Sequence, residues 1–280
     1  MNYLRTGAGI LFLLIALFGG ILVNNAIVGL FPKELELVAD SLGTIGHVGF
    51  FLLMMCLASK VENKPLREYG IWNEKGKVRL LSDGLLLGIV IFLVAVFPLY
   101  VTNLYSLGAG DKTLLNAVNS FIIFIAVGTT EELFFRGYVQ HRLLKYGPIK
   151  AMLIAAVAFA GIHGLNPNIT IISLINIFLV GLLFSIMMYA TGSILTPIGA
   201  HITWNWLQGS VLGIPVSGQE EAGFFKTVIG SNQPLLTGGQ FGAEGSLFIT
   251  ITLLIVVTLW FTYLLKSGKM TRYRTKVFSD

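Results

Sequence analysis

Apolar residues in this chain come in long blocks. They follow neither the alternation of a half-buried strand nor the narrow stripe of a surface helix. A membrane-crossing helix needs about 20 mostly apolar residues. Eight blocks predict such helices: residues 7–23 (continuing more weakly to 30), 42–59, 80–102, 114–144, 149–163, 169–190, 194–212 and 246–265. The breaks between them carry turn chemistry. Asn24 and Asn25 mark the interfacial end of the first block, and an acidic loop with Pro32 follows. Lys75-Gly76-Lys77 turns the chain before the third block, which Pro98 should bend. Gly147-Pro148, Asn166-Pro167 and Gly192-Ser193 separate the later blocks. Pro197 sits in a first helical turn, where it is tolerated. Residues 217–245 are Gly-rich and read as an irregular loop. The fold class is an all-α polytopic membrane bundle of about eight helices.

Composition sharpens this picture. Charged residues make up 12% of the 280 residues and hydrophobic ones 55%, and the mean hydropathy is +0.79. A soluble domain carries about 25% charged residues. The 32 glycines suit close helix packing in lipid. The net charge of +5 is sorted by membrane side, so no nucleic-acid partner follows from it. Sixteen of the 19 basic residues (Arg5, six in 60–79, Arg136, Arg142, Lys145, Lys150 and five in the tail from 266 to 280) fall in alternate segments. Only Lys33, Lys112 and Lys226 fall on the other side. By the positive-inside rule both termini are cytoplasmic. The first block lacks a small-residue cleavage site and reads as a retained span. The basic tail reads as a membrane-surface anchor. The single cysteine, Cys56, excludes an internal disulfide and a cysteine-based zinc site, and reads as packing.

Three of the helices carry polar groups that lipid should not tolerate. An ionisable side chain at membrane depth is costly, so it marks a functional site by default. The fourth block contains Glu131, Glu132 and Arg136 in the run TTEELFFRGYVQ; the fifth ends on His163, four residues after Phe159; the seventh holds His201 and Asn205. At 1.5 Å per residue, these groups lie about 12–18 Å from their helix starts or the nearer boundary, in one slab. Residues four apart share a helix face. Glu132 and Arg136 therefore pair. Glu131 points about 100° away and has no partner on its own helix. Burial without a counter-charge raises a carboxyl pKa, which suits a group that takes a proton from water and returns it. His201 and Asn205, also four apart, can aim two donors at one oxygen. Phe159 lies on the face of His163 and fixes its ring. Taken singly these residues have plainer readings: a structural pair, interhelical glue, an ion path. His47 reads as structural and away from the others, and His141 as a solvated face. Trp204 and Trp206 read equally as cavity wall or as packing.

Glu131-Glu132-Leu-Phe-Phe-Arg136, Phe159-Ala-Gly-Ile-His163 and His201-Ile-Thr-Trp-Asn205 resemble the EExxxR, FxxxH and HxxxN motifs of the CAAX-protease and bacteriocin-processing (CPBP, or Abi) family, the type II CAAX prenyl endopeptidases. The resemblance covers about residues 117–212. It implies an intramembrane endopeptidase whose cavity opens to the cytosol. Glu131 and His163 would activate water, His201 and Asn205 would stabilise the oxyanion, and Glu132, Arg136 and Phe159 would support them. The family is often labelled metalloprotease. Glu131, His163 and His201 are possible zinc ligands, but the HExxH helix is absent, so metal-free glutamate catalysis is favoured and no cofactor is assigned. Bacterial relatives are associated with bacteriocin self-immunity and peptide maturation. The extra N-terminal spans and short loops point to a multi-pass plasma-membrane protein of bacterial type. Its partners are the lipid bilayer and a membrane-associated protein or peptide substrate. Three parts follow: residues 1–113 with the first three helices, residues 114–212 as the catalytic core, and residues 213–280 with the outer loop, last helix and tail. The alternatives are a non-catalytic scaffold or immunity protein and an ion-coupled transporter. Against the transporter stands the lack of an inverted repeat.

Overall fold

The computed structural model describes residues 2–70 and 76–279. Helices α1 (Asn2–Val28) and α2 (Glu36–Glu62) pack along one another. Gly20 leaves room for the His47 ring, and Gly43 for the Asn24 side chain. Asn24 and Asn25 thus lie inside α1 and do not end it. Helix α3 (Lys77–Val101) starts from Gly76 in the left-handed conformation (φ 73°), and Pro98 lies inside its last turn. Of the expected Lys75-Gly76-Lys77 turn, Lys75 lies outside the described residues.

The fourth block is segmented. Thr113 caps a short α4 (Leu114–Asn119) by accepting from the Asn116 N–H. Ser120 then leads into α5 (Phe121–Glu132). A π-helical segment, Leu133–Gln140, follows, and α6 (His141–Leu143) closes the block. Next come α7 (Pro148–His163), α8 (Ile171–Thr191) and α9 (Leu195–Trp206), the last continued by a π segment, Leu207–Val211. Thr170 and Ser173 form a reciprocal capping box at the start of α8. A short α10 (Pro234–Thr237), α11 (Leu247–Ser267) and α12 (Lys269–Ser279) complete the chain.

The all-α expectation needs one correction. Strand β1 (Tyr105–Ala109) pairs antiparallel with β2 (Phe225–Ile229), from Tyr105 opposite Ile229 to Ala109 opposite Phe225. Residues 217–245 are therefore not irregular throughout. Five-residue strands so far apart in sequence leave no local hairpin pattern to read.

Six of the described helices are long and apolar enough to cross a membrane, the fourth of them the composite Leu114–Tyr146; Pro148–His163 is a shorter apolar helix. These helices and α9 occupy the eight predicted blocks, and six of them are long and apolar enough to be spans. The exterior is apolar: Leu22, Leu86, Val157 and Leu259 are each 60–70% exposed. Such a surface suits lipid, and the chain is a multi-pass membrane protein. Cys56 also faces outward, which corrects its reading as core packing. Helix α8 is the central rod, buried on nearly every side from Ile177 to Ala190. Small residues let the helices around it approach closely. A Cβ at Gly84 or Gly88 of α3 would collide with the α9 backbone at Thr196 or Ala200, and one at Gly128 of α5 would meet Ile202. Thr203 and Thr196 of α9 donate to the carbonyls of Leu85 and Leu80 on α3. This packing fixes α9 against α3 and α5, and so fixes where His201 points.

Candidate active site

The site begins with two neighbouring carboxylates that face different ways. Glu132 is fully buried. Its Oε1 accepts from Arg136 Nη1 at 2.8 Å and from His201 Nδ1 at 3.1 Å. Arg136 is fully buried too. Its Nη2 donates to the Gly181 carbonyl of α8 at 3.0 Å, and its guanidinium lies 4.5 Å from the Phe159 ring centroid and 5.3 Å from that of Phe184. The guanidinium fork thereby ties the motif helix to the central rod. Gly181 also lets α7 lie close to the rod, since a Cβ there would press on Ala156. The expected pair is present, and Glu132 also holds His201, a link that helical spacing alone does not show.

Glu131 turns the other way, with its side chain 20% exposed. Its Oε2 lies 3.8 Å from His163 Nε2 and 4.0 Å from His201 Nε2, and it has no hydrogen-bond partner. Both imidazoles are held from behind. His163 Nδ1 donates to the Phe159 carbonyl at 2.8 Å, and the two rings lie 4.5 Å apart. His201 Nδ1 is engaged by Glu132, and Phe184 stacks on its ring at 5.1 Å and 28°. A nitrogen that donates to a carbonyl or carboxylate carries the proton, so in the neutral tautomer each Nε2 presents a lone pair. Three acceptors, Glu131 Oε2 and the two Nε2 atoms, therefore converge on one point. A water held there donates to two of the three.

The convergence matches the expectation for Glu131, His163 and His201, although His163 is the last residue of α7 and not deep inside its helix. Asn205 is buried and lines the same cavity, where it makes no side-chain hydrogen bond among the described residues. Trp204 lines this cavity as well, whereas Trp206 packs on Phe121 and donates to the Ala117 carbonyl. The pair thus divides between wall and packing. Three polar residues of the cavity were missed: Asn176 of α8, Ser217, and Glu244 of the loop before α11. Asn176 was legible as a lone amide in an apolar run; Glu244, in a Gly-rich loop, gave no signal.

Two histidines differ from their sequence readings. His47 does not stand apart: it is buried, and its Nε2 lies 3.5 Å from Thr130 Oγ1, one residue before Glu131. His141 is buried, not solvated, because the loop after α2 covers it: Arg142 beside it pairs with Glu62 and Glu68.

The zinc alternative fits poorly. Zinc bonds of about 2.0–2.2 Å in a tetrahedron put ligand atoms about 3.3–3.6 Å apart. Glu131 Oε2 lies farther than that from both nitrogens, at 3.8 and 4.0 Å. Among the described residues no group of three His, Cys, Asp or Glu side chains is placed to hold a metal ion.

Residues 113–207, which span α4 to α9, match the sequence model of the Rce1-like family, described as type II CAAX prenyl endopeptidase. That segment is similar to the CAAX-protease family, and at the level of the family the likeness supports a CAAX-type intramembrane protease that works in lipid on protein or peptide substrates. No curated protein and no solved structure matches the chain.

Proposed function

We propose that the chain is an intramembrane endopeptidase that hydrolyses a peptide bond with water activated by Glu131 and His163. The observation that carries this reading is the unpartnered Glu131 oxygen, 3.8 and 4.0 Å from two imidazole nitrogens whose tautomers are set from behind. Water held at this point donates one proton to Glu131 and the other to an Nε2. As the water oxygen attacks the carbonyl carbon, Glu131 takes its proton. The carbonyl oxygen gains negative charge and meets Asn205 Nδ2 and His201, whose Nε2 takes a proton from solvent as substrate binds and gives it back on product release. His201 donates from Nε2 only as the imidazolium, with Nδ1 still held by the Glu132 carboxylate. Arg136 orients Glu132. Glu131 then returns the proton to the leaving amine. Every proton passes between water, protein and peptide, and no metal takes part in the scheme.

Both termini face the cytoplasm in this reading, in a bacterial plasma membrane. The physiological role is placed with peptide maturation or bacteriocin self-immunity. A non-catalytic helical scaffold is the second reading, and the buried apolar interfaces around the site would serve it equally. Cleavage of a library of peptides with apolar C-terminal segments, read by mass spectrometry on detergent-purified protein, separates the two. The peptidase reading expects products that vanish in His163→Ala and persist with a chelator. Products that vanish with the chelator would replace this mechanism by a metal-dependent one. Cleavage by His163→Ala at the wild-type rate would remove His163 from it.

A further inference from the structure

The end of the catalytic cavity away from Arg136 is built differently from the rest. Asn176 is fully buried there and Glu244 is 6% exposed. Both amide hydrogens of Asn176 are committed, to the carbonyls of Glu244 at 2.7 Å and Ser246 at 3.0 Å. That fixes the amide plane and leaves Oδ1 without a partner. The Glu244 carboxylate accepts from the Ser217 N–H at 2.8 Å and its hydroxyl at 3.0 Å, both through Oε2. No Lys or Arg lines the cavity, and Glu244 has no basic partner among the described residues. A buried carboxylate without a counter-charge is costly, and so is a buried amide oxygen without a donor. Both costs fall on one wall of one cavity.

We propose that this wall takes a primary ammonium group of the peptide held at the active site. The source is a lysine side chain or an amino terminus. Such a group supplies the charge that Glu244 lacks and the donor that Asn176 Oδ1 lacks. The whole cavity has about 20 Å³ of free space, room for one water or one ammonium head, so the rest of the peptide enters only as side chains along it move apart. Ile177, Val180 and Ile249 line the same cavity and suit a methylene stem. The inference rests on the peptidase reading for its ligand, and adds a specificity: a basic residue is preferred over an acidic one at the substrate position that reaches this wall.

Binding is tested without turnover, by the thermal unfolding midpoint of the full-length protein in detergent at constant ionic strength. The probes are n-butylammonium, glycinamide, tetramethylammonium, sodium and acetate. The expected result is a saturable rise with a primary amine and none with tetramethylammonium, sodium or acetate. Preference for n-butylammonium assigns a side chain; preference for glycinamide assigns an amino terminus. Glu244→Gln should weaken the amine at least tenfold, and Asn176→Ala several-fold. The wild-type series is decisive by itself if either variant fails to fold. A rise shared by tetramethylammonium, sodium or acetate, or no saturable rise with either amine, overturns the proposal. The same series on Glu131→Gln keeps the two readings apart. Amine binding there with no cleavage by wild type would fault the peptidase reading, and cleavage with no amine binding would fault this one.

Discussion

Two adjacent glutamates do different work here because each meets a different environment. Glu132 has an arginine and an imidazole on one oxygen. Removing one partner of a buried ion pair leaves a charge unpaired and costs about 3–5 kcal/mol. Arg136→Met should therefore lower the thermal midpoint strongly, and the double variant Glu132→Gln/Arg136→Met should recover part of the loss. A double variant no better than the single one would show that the pair is not coupled. Arg136→Lys should also be impaired, since an ammonium cannot both reach the Gly181 carbonyl and stack between Phe159 and Phe184. Glu131, by contrast, has no hydrogen-bond partner for Oε2, so its loss should spare the fold.

At the scale of elements, the motif helix is fastened at both ends of its π segment. Near Glu132 the Arg136 bonds join it to α8. Farther on, the buried Glu62 of α2 accepts from Tyr138 and Tyr69, each at 2.6 Å, and pairs with Arg142. Burial, and next the bond to Glu62, push the Tyr69 phenol well above its ordinary range. It therefore stays protonated, and a donor, at any working pH. Glu62→Gln should lower the unfolding midpoint and loosen the loop after α2, read as faster amide exchange at residues 64–70; unchanged exchange would show that the latch does not hold the loop. The sequence held some of this. Glu132 and Arg136, four apart, showed their pair, and the three motifs showed which side chains meet. It did not show the π segment, because π geometry is set by what the helix packs against and not by periodicity. The bond from His201 to Glu132 stayed hidden for a related reason. It joins helices 69 residues apart, and only the close α5–α9 crossing at Gly128 brings them together. The small ribbon of β1 and β2 was illegible on the same ground.

On the scale of the molecule, apolar blocks were a sound guide, since lipid demands helices whose backbone bonds are internal. They overstated uniformity: α7 and α9 are short, and their polar ends meet in the site. Gly88→Leu should separate α3 from α9 and abolish both folding and site formation, seen as loss of a monodisperse species in detergent; a well-folded variant would contradict the packing described. Cys56, exposed on a spanning helix, should resist a membrane-impermeant maleimide in intact membranes and react once detergent removes the lipid. Labelling in intact membranes would place that face in water.

The central claim is that Glu131 is the base that activates water. The most direct measurement is kcat/KM for peptide cleavage by Glu131→Gln against wild type, with circular dichroism and the thermal midpoint of both. General-base catalysis contributes about 10²- to 10⁴-fold. The account predicts a loss of at least about a hundredfold, at that lower limit, with the fold unchanged. Cleavage by Glu131→Gln at the wild-type rate would contradict it.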